Sequence, residues 1–134
     1  MRRLVLMPLI FVMGCVDAPR QQAALAAQKA ADEIKLARLL KGYTPGPAQS
    51  CLPHFRDYQT KGVGETVLYS VDRRVIYRND AIGCTGVSLG DTLVTGNVGG
   101  ELCRGHVGTT FDRINKNITG SCEFRDFVPY RKTQ

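Results

Sequence analysis

Four cysteines in the last 84 residues of this 134-residue chain constrain its fold more than any other feature. They are Cys51, Cys84, Cys103 and Cys122. In an oxidising compartment an even number of cysteines in a small domain indicates disulfides, whereas in the cytoplasm the same thiols stay reduced and can bind a metal. Their positions leave all three possible pairings open. The fold therefore depends on where the chain is delivered.

The first fifteen residues predict export. Arg2 and Arg3 precede about ten apolar residues, a run that is too short to span a bilayer and is typical of a secretory signal peptide. The run ends in Val-Met-Gly-Cys, residues 12–15, which resembles the lipobox of bacterial lipoproteins. This resemblance implies that residues 1–14 are a signal peptide that is removed, and that Cys15 receives fatty acids such as palmitate. The alternative is an ordinary secretory signal cleaved nearby.

The residues after Cys15 indicate a destination. Lipoproteins that stay on the inner membrane usually carry Asp directly after the lipidated Cys, but here Val16 precedes Asp17. We therefore expect a cell-envelope protein that is lipid-anchored in the outer membrane and faces the periplasm.

Residues 15–50 are predicted to be the lipid anchor, a helical spacer and a linker. Residues 20–41 are rich in Ala, Gln, Lys and Leu, which favour helix, and Gly42 ends the run. Charged residues interrupt the apolar stripe of this helix, and sustained heptads are missing. We expect a solvated spacer rather than a coiled coil or a helix that docks on a partner.

Residues 51–134 are predicted to form a β-domain, because short runs rich in Val, Ile and Tyr alternate with Gly, Asn and Asp. A hairpin is expected across Asp72 and Arg73. The predicted strands are residues 52–58, 66–71, 74–78, 91–95, 103–111 and 118–124. The sequence thus predicts a mainly β fold, a small antiparallel β-barrel or sandwich stapled by two disulfides and preceded by the spacer helix.

Six stretches of this domain carry a family resemblance. They are residues 51–53 (CLP), 75–79 (VIYRN), 83–84 (GC), 91–95 (DTLVT), 101–105 (ELCRG) and 127–130 (FVPY). In these stretches the chain resembles a family of small uncharacterised proteobacterial secreted and lipid-anchored proteins. The resemblance implies that Cys51 pairs with Cys103 and Cys84 with Cys122, because relatives of this type can lack the second pair while keeping the first. It implies no activity, substrate or partner.

Two Cys-x-x-His units offer an alternative chemistry. Cys51 with His54, and Cys103 with His106, would together provide the ligands of a Cys2His2 zinc site. Zinc requires thiolates, however, and two sulfurs bonded to each other provide none. The family resemblance also weighs against a site, since relatives tend to carry other residues at both histidine positions. We therefore predict no metal and no cofactor.

Charge and motif content disfavour two further classes of protein. The chain has 18 Lys and Arg against 12 Asp and Glu, but residues 51–134 contain only eleven basic and nine acidic residues. The closest approach to a basic run, Arg73 with Arg74, is flanked by Asp72, so no nucleic-acid partner is predicted. A nucleophile elbow, a zinc-protease motif, a Walker loop and a Cys-x-x-Cys pair are all missing from the sequence, and we predict no catalytic residues and no enzyme.

The sequence thus predicts a non-enzymatic envelope lipoprotein that acts as a structural or protein-interaction module. Its expected partners are the membrane, through the lipid anchor, and another envelope protein. One alternative is an inhibitor of a hydrolase such as lysozyme, because small lipid-anchored β-barrels that inhibit lysozyme have a similar plan. The other is a periplasmic domain that binds a metal or a small ligand through the Cys-x-x-His units.

Overall fold

Helices and strands alternate irregularly along this chain. The structure, a computed structural model, describes residues 18–54, 57–96 and 100–134. The predicted signal peptide and Cys15 lie outside the described residues. The elements are α1 (Ala18–Leu39), β1 (Tyr43–Pro45), β2 (Cys51–Leu52), β3 (Gln59–Val63), β4 (Thr66–Ser70), β5 (Val75–Asp80), α2 (Thr85–Leu89), β6 (Thr92–Thr95), β7 (Leu102–Cys103), β8 (Val107–Phe111), β9 (Ile118–Glu123) and β10 (Phe127–Lys132).

The strands form two antiparallel sheets and one short ladder. The large sheet has the order β1-β10-β5-β4-β3, the small sheet has the order β6-β8-β9, and β2 pairs with β7. The predicted mainly β fold is confirmed. A barrel requires the edge strands of a sheet to pair with each other, and neither sheet closes in this way. The sandwich is therefore the correct alternative and the barrel is wrong.

Strand alternation divides the interior into two cores. Val67 and Tyr69 of β4 belong to the main core, which contains residues of both sheets. Leu68, between them, belongs to a second core beneath α1. At the centre of the main core Phe124 and Phe127 are fully buried, with their stacked rings 6.4 Å apart. The molecule is thus layered as helix, large sheet and small sheet.

Helix α1 packs on the large sheet through its C-terminal half, which corrects the expectation of a solvated spacer. Leu36 is 1% exposed and packs with Val63 and Leu68. Beside it a Glu33 carboxylate oxygen lies 2.9 Å from Nη2 of Arg78. Residues 18–31 are all exposed. The interrupted apolar stripe of α1 is sufficient for this packing, because only the last turns of the helix lie on the sheet.

The predicted hairpin is confirmed as the pairing of β4 with β5, but its loop is longer than two residues. Residues 71–74 form the loop, and Asp72 holds it by accepting the backbone N–H of Arg74 at 2.8 Å and of Val75 at 3.3 Å. These bonds, led by the one from Arg74, lower the pKa of the Asp72 carboxyl.

Gly62 gives the first prediction, because it lies where β3 meets α2. A Cβ added there would lie 2.5 Å from the Ser88 nitrogen and 2.6 Å from the Val87 carbonyl carbon. Both are backbone atoms, so α2 itself would have to shift. We expect Gly62→Ala to lower the free energy of unfolding by about 1–3 kcal/mol, measured by urea denaturation.

Gly96 provides the matched control. A Cβ at Gly96 meets no atom of a described residue within 4 Å, so Gly96→Ala is expected to change the free energy of unfolding by less than about 0.5 kcal/mol or to raise it slightly. Equal stability of the two variants would show that α2 does not pack against β3 in this way.

Candidate functional site

The cysteines pair as the family resemblance implied. Cys51 and Cys103 lie directly opposite each other in β2 and β7 and form a half-buried disulfide. Cys84, directly before α2, is bonded to Cys122 of β9, and both residues are fully buried. One disulfide thus closes the short ladder, and the other ties α2 to the small sheet.

The two histidines do not join the sulfurs in a metal site. Nδ1 of His54 lies 3.0 Å from the carbonyl oxygen of Gly100, and Nδ1 of His106 accepts the backbone N–H of Cys103 at 3.2 Å. Among the described residues, the one group of three candidate ligands within 4.8 Å is Cys51, Glu101 and Cys103. Because its two sulfurs are bonded to each other, this group offers no thiolate to zinc.

Two grooves follow α1, one on each side. The first has a volume of about 590 Å³ and separates the helix from β3 and α2, with Leu39, Val63 and the exposed Leu89 in its lining. The second, of about 650 Å³, runs between the helix and the start of α2, past Glu65 and Arg78. Sequence reasoning missed both, because it treated α1 as detached.

Arg78 lines this second groove, and its guanidinium joins β5 to α1. Its Nε donates to Asp80 at 2.8 Å and its Nη2 donates to Glu33 at 2.9 Å. Burial alone would lower the pKa of Arg78, but the two carboxylates, Asp80 foremost, raise it overall. Arg78 therefore forms ion pairs within the fold, and the one with Glu33 joins α1 to β5.

A smaller cavity of about 280 Å³ opens beside the main core and is lined by Tyr69 and Leu102. The Tyr69 hydroxyl is buried and has no hydrogen-bond partner among the described residues, and burial raises its pKa. The neighbouring Tyr58 donates its hydroxyl to the Pro53 carbonyl at 2.6 Å, and its pKa is raised to about 12, mainly by burial. Both phenols therefore stay protonated at neutral pH.

Asp112, six residues after His106, forms its hydrogen bonds within its own loop. Its Oδ1 accepts the backbone N–H groups of Asn115 at 2.7 Å and Ile114 at 2.8 Å. These bonds, Asn115 first, lower the pKa of Asp112. The carboxylate thus caps a turn between β8 and β9.

No family model, curated protein or solved structure matches this chain. The proposed relationship to proteobacterial lipid-anchored proteins therefore stays a prediction. Neither described helix has the length and apolar character needed to cross a bilayer.

Proposed function

We propose that this chain is a non-catalytic lipoprotein of the bacterial envelope, anchored through Cys15 in the outer membrane, which presents its β-sandwich to another envelope protein in the periplasm. The observation that carries the proposal is the fully buried disulfide between Cys84 and Cys122. Such a bond forms and persists in an oxidising compartment, and the signal peptide predicted for residues 1–14 would supply a route there.

The exposed half of α1 supports a tethering role. Residues 18–31 make no buried contact and extend over about 21 Å at 1.5 Å per residue. An anchor at Cys15 would precede this segment by two residues, so the helix would hold the sandwich away from the lipid surface. The Ala-rich composition suits a helix that must persist without tertiary contacts.

The ionisable groups with shifted pKa values are each used within the fold. Asp72 and Asp112 hold turns, Arg78 holds the helix, and Tyr58 and Tyr69 are core phenols. In enzymes, such groups usually converge on one cleft, where their pKa values serve the reaction. Here each shift has a local structural cause.

Lipidation of Cys15 gives the second prediction. In bacteria fed an alkyne analogue of palmitate, we expect the wild-type protein to be labelled and to fractionate with the outer membrane. Cys15→Ser should lose the label and leave the membrane fraction, because its side chain cannot form the thioether on which the anchor is built. Intact mass under nonreducing conditions should show two disulfides in both proteins.

A different outcome would overturn the proposal. If the wild-type chain is recovered from the cytosol without fatty acid, and all five of its cysteines react with an alkylating agent, the protein is not exported. Inhibition of lysozyme by micromolar wild-type protein would instead favour the inhibitor alternative.

A further inference from the structure

Five cations from three distant parts of the chain meet at one end of the large sheet. We call Lys41, Arg73, Arg74, Arg131 and Lys132 the basic end. The Tyr43 hydroxyl donates to the Arg73 carbonyl at 2.8 Å, and the Lys132 N–H donates to the Arg74 carbonyl at 2.8 Å. The residue after Lys41, Gly42, accepts the N–H of Thr133 at 2.9 Å. These contacts hold the three segments that carry the five cations together.

The basic end holds the whole excess of positive charge on the described residues. They include 15 Lys and Arg and 11 Asp and Glu. The basic end accounts for five of these cations and, with Asp72 in its loop, for one carboxylate. Ten basic and ten acidic residues are left for the rest of the described chain. The molecule is therefore balanced everywhere except here, where a strongly positive potential is expected.

Most of these cations are available to a ligand. Arg74 is paired with Asp72, its Nε lying 3.0 Å from the carboxylate, and its side chain is still 86% exposed. Among the described residues, no carboxylate forms an ion pair with Lys41, Arg73, Arg131 or Lys132. A fold that needed these cations for its own stability would have paired them with acids.

Three cations of the basic end, Arg74, Arg131 and Lys132, line a concave part of the surface. A cleft of about 540 Å³ is lined by Asp72, Arg74, Val75 and residues 131–134. Guanidinium groups bind carboxylates through two parallel hydrogen bonds, which favours acidic side chains presented at close quarters. A flat bilayer surface cannot enter a cleft, whereas an extended peptide can.

We propose that the basic end binds an acidic segment of a partner protein, with Arg131 and Lys132, which line the cleft and form no ion pair with a described residue, each holding a carboxylate. This inference rests on the proposed interaction function but not on the lipid anchor. It also fits that anchor, because the basic end adjoins the C-terminus of α1, about 33 Å from the first residue of the helix. The helix is thus long enough to hold the basic end away from the anchoring membrane.

The test uses a fluorescent peptide of eight glutamates and the full chain in a nonionic detergent. Fluorescence anisotropy of the peptide measures its binding. We expect the triple variant Arg73→Gln, Arg131→Gln, Lys132→Gln to bind at least about tenfold more weakly than wild type. Raising the ionic strength from about 0.05 M to about 0.15 M should also weaken wild-type binding, because salt screens exposed charges. A glutamine peptide of equal length should not bind.

The matched control removes three cations that also form no ion pair with a described residue. Lys29→Gln, Lys61→Gln and Arg113→Gln together lower the net charge equally, and this variant should stay within about twofold of wild type. Equal losses in both triple variants, or no binding of the glutamate peptide, would overturn the proposal. So would displacement of the peptide by micelles carrying an equal charge of phosphatidylglycerol, which would assign the basic end to lipid. None of these outcomes alters the labelling of Cys15.

Discussion

Removing the buried disulfide by Cys84→Ala and Cys122→Ala is expected to lower the free energy of unfolding by about 4 kcal/mol. The bond joins cysteines 38 residues apart, and loop-closure entropy for a loop of that size gives about 4 kcal/mol. The total free energy of unfolding of a small domain is only about 5–15 kcal/mol. The double variant should therefore unfold at a much lower urea concentration than wild type, measured by circular dichroism.

Burial also predicts the order in which the two disulfides react. Cys51 and Cys103 are half-buried, whereas Cys84 and Cys122 are fully buried. Thiol attack requires access to a sulfur, so a mild reductant should open the bond between Cys51 and Cys103 in the folded protein and spare the other. Mass spectrometry after alkylation would show two modified cysteines. Simultaneous labelling of all four without urea would contradict the burial of Cys84 and Cys122.

The strands that the sequence predicted are those with a clear local pattern. Strands β4 and β5 are rich in Val, Ile and Tyr, and both lie close to their predicted positions. Strand β3 was missed because QTKGV contains a single buried residue, Val63, and becomes a strand by pairing with β4. Strand β10 was missed because it contains Pro129, which usually argues against a strand inside a sheet.

The docking of α1 and the basic end could not be predicted from the sequence, because both depend on contacts between distant segments. Leu36 of α1 is buried only since Val63 and Leu68 lie beneath it. Arg131 reaches the basic end because it pairs with Val75 across β10 and β5. A search for basic runs along the chain finds Arg73 with Arg74 and Arg131 with Lys132 as two separate pairs, and it cannot show that the fold brings them together.

The short helix α2 and the division of the predicted strand 103–111 also have tertiary causes. Thr85–Leu89 contains a glycine and has weak helix propensity, and it forms where Gly62 lets it approach β3. The chain turns after β7 so that β8 can join the small sheet. Of the predicted strand 52–58, the described residues show Cys51–Leu52 as strand, and residues 55–56 lie outside them.

Asn79→Ala is expected to lower the free energy of unfolding by about 3 kcal/mol. Asn79 is fully buried in β5, and its amide makes two reciprocal bonds to one backbone unit. Nδ2 donates to the Arg125 carbonyl at 2.7 Å, and Oδ1 accepts the Arg125 N–H at 3.1 Å. Both bonds are part-buried, and a backbone group that loses its partner away from water costs about 1–3 kcal/mol. Urea denaturation measures the loss.

The position of this contact explains why the loss should be large. Residues 124–126 connect β9 of the small sheet to β10 of the large sheet, and Phe124 and Phe127 on either side are fully buried. Asn79 therefore holds the crossing between the two sheets. Asn115→Ala is the control, because Asn115 is exposed and should change stability by less than about 0.5 kcal/mol. A loss below about 1 kcal/mol for Asn79→Ala would mean that water replaces the amide and that the crossing is held by the two phenylalanines alone.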